Sequence, residues 1–134
     1  MPDPKPIEPI SLARAFAGLR FLADREPSTS GAAAADAFAE LARYRDGAIF
    51  VGHYAGASEW ERHAQGDEIV YAVEGETTLI LLTAQGERPS RLRAGDIFVV
   101  SRNTWHRFET PQGVKILTVT PQPTDHSIER PRLD

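Results

Sequence analysis

From Ala48 to Pro121 the chain is a succession of short strand-forming segments, each closed by a turn signal. "AIFVGHY" opens the run, and "EIVYAVEGETTLILLT" comes next as two strands about the turn "EGE". After a second turn, "AQGERPS", the stretch "SRLRAGDIFVVS" holds a short segment, a Gly-Asp turn and a strand. "TWHRFET", "PQG" and "VKILTVTP" add a strand, a turn and a further strand. β-Branched and aromatic side chains fit a pleated, half-buried surface, while Gly supplies turn conformations that other residues resist. About seven short strands so closely spaced predict a mainly β fold, a sandwich or a closed barrel.

The N-terminal third reads differently. "MPDPKPIEPI" carries four prolines; each fixes φ and removes a donor, so an extended arm outside any central sheet is expected. "SLARAFAGLRFL", Ser11 to Leu22, predicts a short helix capped by Ser11, with Leu12, Ala15, Phe16 and Leu19 on one face. An arm laying those side chains on another surface is the alternative. "REPSTSG" is a loop. In "AAAADAFAELARYRDG" the residues Ala34, Phe38, Leu41 and Ala42 form one helical stripe. Arg43 and Arg45 suit the negative end of that helix, and Gly47 can stop it. The expected organisation is an arm and helix packing on the barrel (1–47), a β-barrel (48–120) and an extended tail (121–134).

Composition narrows the function classes. The 134 residues are one domain by length, and 41% hydrophobic with 25% charged is ordinary for a globular chain. Lys and Arg total 15 against 19 Asp and Glu with no basic stripe, so nucleic acid is not an expected partner. The absence of Cys excludes a disulfide framework, thiolate metal ligands and a Cys nucleophile. No run approaches the roughly 18 apolar residues of a spanning helix, and the N-terminus lacks a signal-peptide layout. A soluble cytoplasmic protein without a membrane partner is expected.

Only four histidines are present. Strands have period 2, so Glu61 and His63 share a face, and Glu68 shares one with Val70 and Ala72. His106 comes directly after Trp105 on a separate strand. In "ERHAQGDEIVYAVEG", His63 is followed by Glu68 after four residues and by Gly75 after six more. In "GDIFVVSRNTWHRFET", Gly95 leads to His106. These stretches resemble the two motifs of the cupins, G-x5-H-x-H-x(3,4)-E-x6-G and G-x5-P-x-G-x2-H-x3-N. Glu61 stands at the first motif's leading His. Ser101, Asn103 and Thr110 stand at the second motif's Pro, second Gly and Asn.

The resemblance to a small single-domain cupin implies a double-stranded β-helix, the jelly-roll barrel. It also implies one divalent metal ion (Fe, Mn, Ni or Zn) held by His63, Glu68 and His106, with Glu61 as a fourth ligand or as the catalytic base. Two imidazoles and a carboxylate form a donor set of the non-haem iron type, with positions left open. Val70, Ala72, Phe98 and Val100 are expected to wall a small apolar cup for a small organic ligand. Trp60, Trp105, Tyr71, Arg62 and Arg107 are out of phase with the site, and His126 is expected at the surface. His53 lines the cup or faces away according to which parity of its strand points inward. A homodimer is implied, with the arm Pro2 to Leu22 packing across the partner. The expected activity is that of a dioxygenase- or isomerase-like metalloenzyme. A non-catalytic module that binds or senses a small ligand, with or without metal, is the alternative. A DNA-binding regulator ranks last, for want of a helix-turn-helix.

Overall fold

The computed structural model describes residues 7–133. In chain order the elements are α1 (Leu12–Ala17), β1 (Leu22–Arg25), α2 (Gly31–Ala34), β2 (Phe38–Tyr44), β3 (Gly47–Ala57) and β4 (Trp60–His63). After them come β5 (Glu68–Thr83), β6 (Gly86–Arg93), β7 (Ile97–Val100), β8 (His106–Pro121) and β9 (Thr124–Ser127). β5 and β8 carry the architecture. β8 pairs with β3 on one side and β5 on the other, and its first residue meets β4. β5 pairs with β7 through its first half and with β6 through its second. These pairings are antiparallel; β1 alone joins in parallel, on β3. The fold is the mainly β, jelly-roll barrel that the resemblance implies.

Both long strands bend where they cross. Gly75 has φ +77° and Gly113 φ +119°, and a Cβ on Gly75 would collide with the Gly113 carbonyl. The turn expected at "EGE" is therefore a bend inside one continuous strand, β5, and "PQG" is likewise a bend inside β8. A left-handed glycine lets the sheet fold over, and the β5–β8 register shifts on either side of Gly75. Residues from both sides of the bend form the core: Tyr54, Val70, Ala72, Leu79, Leu92, Val100, Phe108, Val114 and Ile116.

The helix expected over "AAAADAFAELARYRDG" is corrected. Only Gly31–Ala34 is α-helical, a 3₁₀ turn covers Ala35–Ala37, and Phe38 onward is strand β2. Seven residues laid along β3, with the Phe38 ring over the bare backbone of Gly52, outweigh the small helical preference of an alanine run. α1 starts as expected, Ser11 Oγ accepting from Arg14 N at 3.2 Å, but it stops at Gly18, so Leu22 opens β1 instead. Phe16 of α1 is buried in its own chain. Residues 124–127 of the expected tail form β9, paired to β4. The arm expected over 1–10 lies mostly outside the described residues. No helix among the described residues is long and apolar enough to cross a membrane.

Candidate metal centre and its cavity

The backbone assembles the site from three strands. β4 sets Glu61 directly opposite His106 of β8, and a short loop returns the chain so that Glu68 begins β5. Asn103 N donates to the His63 carbonyl (3.0 Å) and Arg102 N to Asp67 Oδ1 (2.8 Å), tying the loops of the two motifs together. Asn103 holds φ +64° at the position where the cupin motif has Gly. Asn is the residue that tolerates the left-handed region best after Gly. Alternation sends Trp60 and Trp105 outward, as expected, into a separate cluster with Ile80 and Leu82. Arg107 and Arg62 cover their rings.

Three side chains converge in the interior. His106 is 0% exposed, His63 2% and Glu68 4%. His106 Nε2 lies 3.0 Å from Glu68 Oε1, and His63 Nε2 lies 3.4 Å from Glu68 Oε2. The far side of each ring is held. His106 Nδ1 donates to the Thr104 carbonyl at 2.9 Å, and His63 Nδ1 meets Thr124 Oγ1 at 2.9 Å. Thr120 Oγ1 donates to Glu68 Oε2 at 2.6 Å. A carbonyl only accepts, so His106 Nδ1 carries a proton and Nε2 is the atom turned toward Glu68, free to take a proton or a metal ion. Despite their closeness, His63 Nε2, His106 Nε2 and Glu68 Oε1 are buried without an aligned hydrogen bond. Such atoms are costly to leave unpaired. One metal ion would relieve all three at once, whereas a proton on one ring would relieve only the two atoms it bridges.

Glu61 stands beside them at the edge of the cavity, 23% exposed and 4.0 Å from His63. One ligating atom each from Glu61, His63 and His106 lies within 4.8 Å of the others. Burial would raise the Glu68 carboxyl, but the two imidazoles overcome it and hold the group at about 2. Burial works against a charge on His106, and the adjacent Glu68 carboxylate outweighs it, so that ring is pushed up. Glu61 is pushed up by burial and then by Glu68, only partly offset by the histidines and Arg25. Two carboxyls shifted in opposite directions in one site are a pattern of acid–base and metal centres alike.

A cavity of about 430 Å³ opens onto Glu61 and Glu68. Its apolar walls are Phe38, Val51, Tyr54, Phe108 and Ile116, from β2, β3 and β8. The expected wall is corrected here: Val70, Ala72 and Val100 point inward but are packed in the core beneath, and Phe98 packs against that core. His53 faces away and stacks on Phe21 at 4.7 Å. Three titratable residues of the cavity were not placed there by the sequence reading. Arg25 arrives on β1; Glu59 precedes β4; His126 lies in register with Glu61 on β9, its Nδ1 2.6 Å from Glu59 Oε1. His126 is exposed, as expected, yet it stands at the cavity mouth. Only tertiary pairing brings β1 and β9 there, so no local pattern marks these residues.

Known proteins bear out this architecture. No curated protein sequence matches the chain. Among solved structures, a cupin-2 domain-containing protein from Shewanella frigidimarina superposes with TM-score 0.63 at 18% identity, covering 84% of this chain and 94% of its own. A protein from Neisseria meningitidis gives 0.60 at 21% identity over 90% and 100% of the two chains. A hydroquinone 1,2-dioxygenase in complex with Cd2+ and 4-hydroxybenzonitrile gives 0.54 at 17% identity over 63% of each. These likenesses concern the fold. The family model for the cupin domain matches residues 51–120, a little over half of the sequence, and the chain belongs to the cupin family.

Proposed function

We propose that the barrel binds one divalent metal ion through His63, His106 and Glu68, with Glu61 as the fourth donor or the proton-transfer group, and acts on a small organic molecule. The observation that carries this reading is the set of three buried, unaligned polar atoms, His63 Nε2, His106 Nε2 and Glu68 Oε1, facing one another. The donor set suits Fe, Mn, Ni or Zn, and the solved dioxygenase above holds Cd2+ on the same fold. When bound, the ion supplies a Lewis acid that polarises an oxygen of the ligand, and iron adds reactivity toward O₂.

The protein's own residues do the rest. Thr124 and the Thr104 carbonyl orient the two rings, and such partners sharpen metal affinity. Thr120 fixes the Glu68 carboxylate. Glu61, raised and partly exposed, holds or moves a proton at the cavity wall. That group favours a dioxygenase- or isomerase-like enzyme over a purely binding module. Assembly as a homodimer is part of the proposal.

Metal content of untagged protein, measured by mass spectrometry beside His106→Ala and Glu68→Gln, tests the reading. We expect near-stoichiometric metal in the wild type and at least a tenfold loss of affinity in both variants, with the fold kept. Wild-type protein that takes up none of the four ions on reloading would overturn it.

A further inference from the structure

Among the described residues, Arg25 is the only Lys or Arg side chain lining the cavity. It is carried there by β1, whose parallel pairing sets Leu22 against Tyr54 and Arg25 against Gly56. Gly56 has φ +110°, and a Cβ on it would strike the Arg25 backbone. The close approach of β1 therefore depends on a bare backbone at this point. The guanidinium lies 4.5 Å from the Tyr54 ring centroid and 4.9 Å from that of Phe38. The rings cover its face, and Tyr54 takes one hydrogen bond from the guanidinium, which leaves its remaining N–H donors for another group. Among the described residues no carboxylate forms an ion pair with it.

The charges of the cavity are otherwise matched. Glu59 is paired with His126, and a divalent ion at the histidines offsets Glu61 and Glu68. Arg25 acts on Glu61 through space but touches no carboxylate among the described residues, whether or not that ion is present. A guanidinium stacked on rings, always charged and forked, is the side chain best suited to grip a carboxylate with two parallel hydrogen bonds. The volume of about 430 Å³ lies toward the lower end of small-ligand pockets, roughly 300–1,000 Å³. Val51, Phe108 and Ile116 between the strands that carry the charged groups ask for an apolar body.

We propose that the ligand is a small organic carboxylate with an apolar body, its carboxylate gripped by Arg25 while a second oxygen faces the metal centre. The second anchor rests on the metal reading above; the first does not.

The test is calorimetric titration of metal-loaded and chelator-treated protein with benzoate, 2-hydroxybenzoate and 3-phenylpropanoate, and with the corresponding neutral amides. Wild type, Arg25→Met and Arg25→Lys are compared, with metal content measured on the same samples. We expect at least one carboxylate to bind and its amide to bind at least tenfold more weakly. Arg25→Met should weaken the carboxylate at least tenfold without changing metal content or amide binding, and Arg25→Lys should fall between. Equal affinity of Arg25→Met and wild type for the carboxylate would overturn the proposal, as would amides binding equally well or no carboxylate binding. If Arg25→Met disturbs the fold, an Arg25→Lys variant indistinguishable from wild type has the same consequence. Arg25-dependent binding to a chain that takes up no metal would sink the metal reading and leave this one standing. Full metal with no effect of Arg25 would do the reverse.

Discussion

Glu68 is the residue on which the site turns, because its carboxylate touches both rings. Its partners give the metal-free protein a defined dependence on pH. Glu68 is depressed to about 2, so its stabilising contribution is present above the ordinary carboxyl value of 4.5 and is lost as pH falls through about 2. His106 is raised above 6.5, so its contribution is complete below 6.5 and is lost as pH rises through the raised value. In chelator, the melting temperature of the wild type should therefore fall on the alkaline side, and the Glu68→Gln variant should lack that fall. The difference between the two melting curves isolates the pair from other titrating groups. A difference that stays flat from about pH 6 to pH 9 would show that the two groups are not coupled. Added metal should reverse the alkaline slope, because the ring must release its proton to ligate.

At the scale of elements, the geometry depends on the shared bend of β5 and β8. Gly75 sits there with φ +77° against the Gly113 carbonyl. Gly75→Ala adds a Cβ where neither backbone conformation nor space allows one, and should cost roughly 1–3 kcal/mol or more in denaturant unfolding. A midpoint unchanged from wild type would show that the bend accepts a side chain. Gly75 and the spacing from His63 to Glu68 were legible because both belong to a motif with fixed intervals. Strand identity from Ala48 onward was legible from alternation. β2 was not, because Ala34, Phe38, Leu41 and Ala42 fit a helical stripe equally well, and only pairing with β3 decides between them. The bends misread as turns have the same origin: a Gly marks positive φ, while the neighbouring strand decides whether the chain reverses there or runs on.

Over the whole molecule, the outer face of the sheet presents apolar residues to solvent. Ile97 is 65% exposed; exposed Val99 lies two residues on along β7 and pairs with exposed Ile69 of β5. Contiguous patches of this kind mark contact surfaces, and a second copy of the chain is the proposed occupant. Ile97→Glu should halve the mass measured by sedimentation while leaving the melting temperature of the barrel nearly unchanged. A wild-type chain that sediments as a monomer would end the dimer proposal. The cavity was the least legible feature at this scale. Glu61 and Glu68 come from motif strands, whereas Arg25 and His126 come from opposite ends of the chain.

Strand β9 ties this arrangement to the order in which the chain is made. Thr124, which holds the His63 ring, lies 61 positions later in the sequence. Synthesis runs from the N-terminus at roughly 5–20 residues per second, so His63 and Glu68 emerge seconds before the residue that orients the His63 ring. A ribosome-bound chain stalled short of Thr124 carries every proposed ligand and leaves His63 without that partner. In the proposed metal reading, the finished geometry around His63 therefore waits for β9.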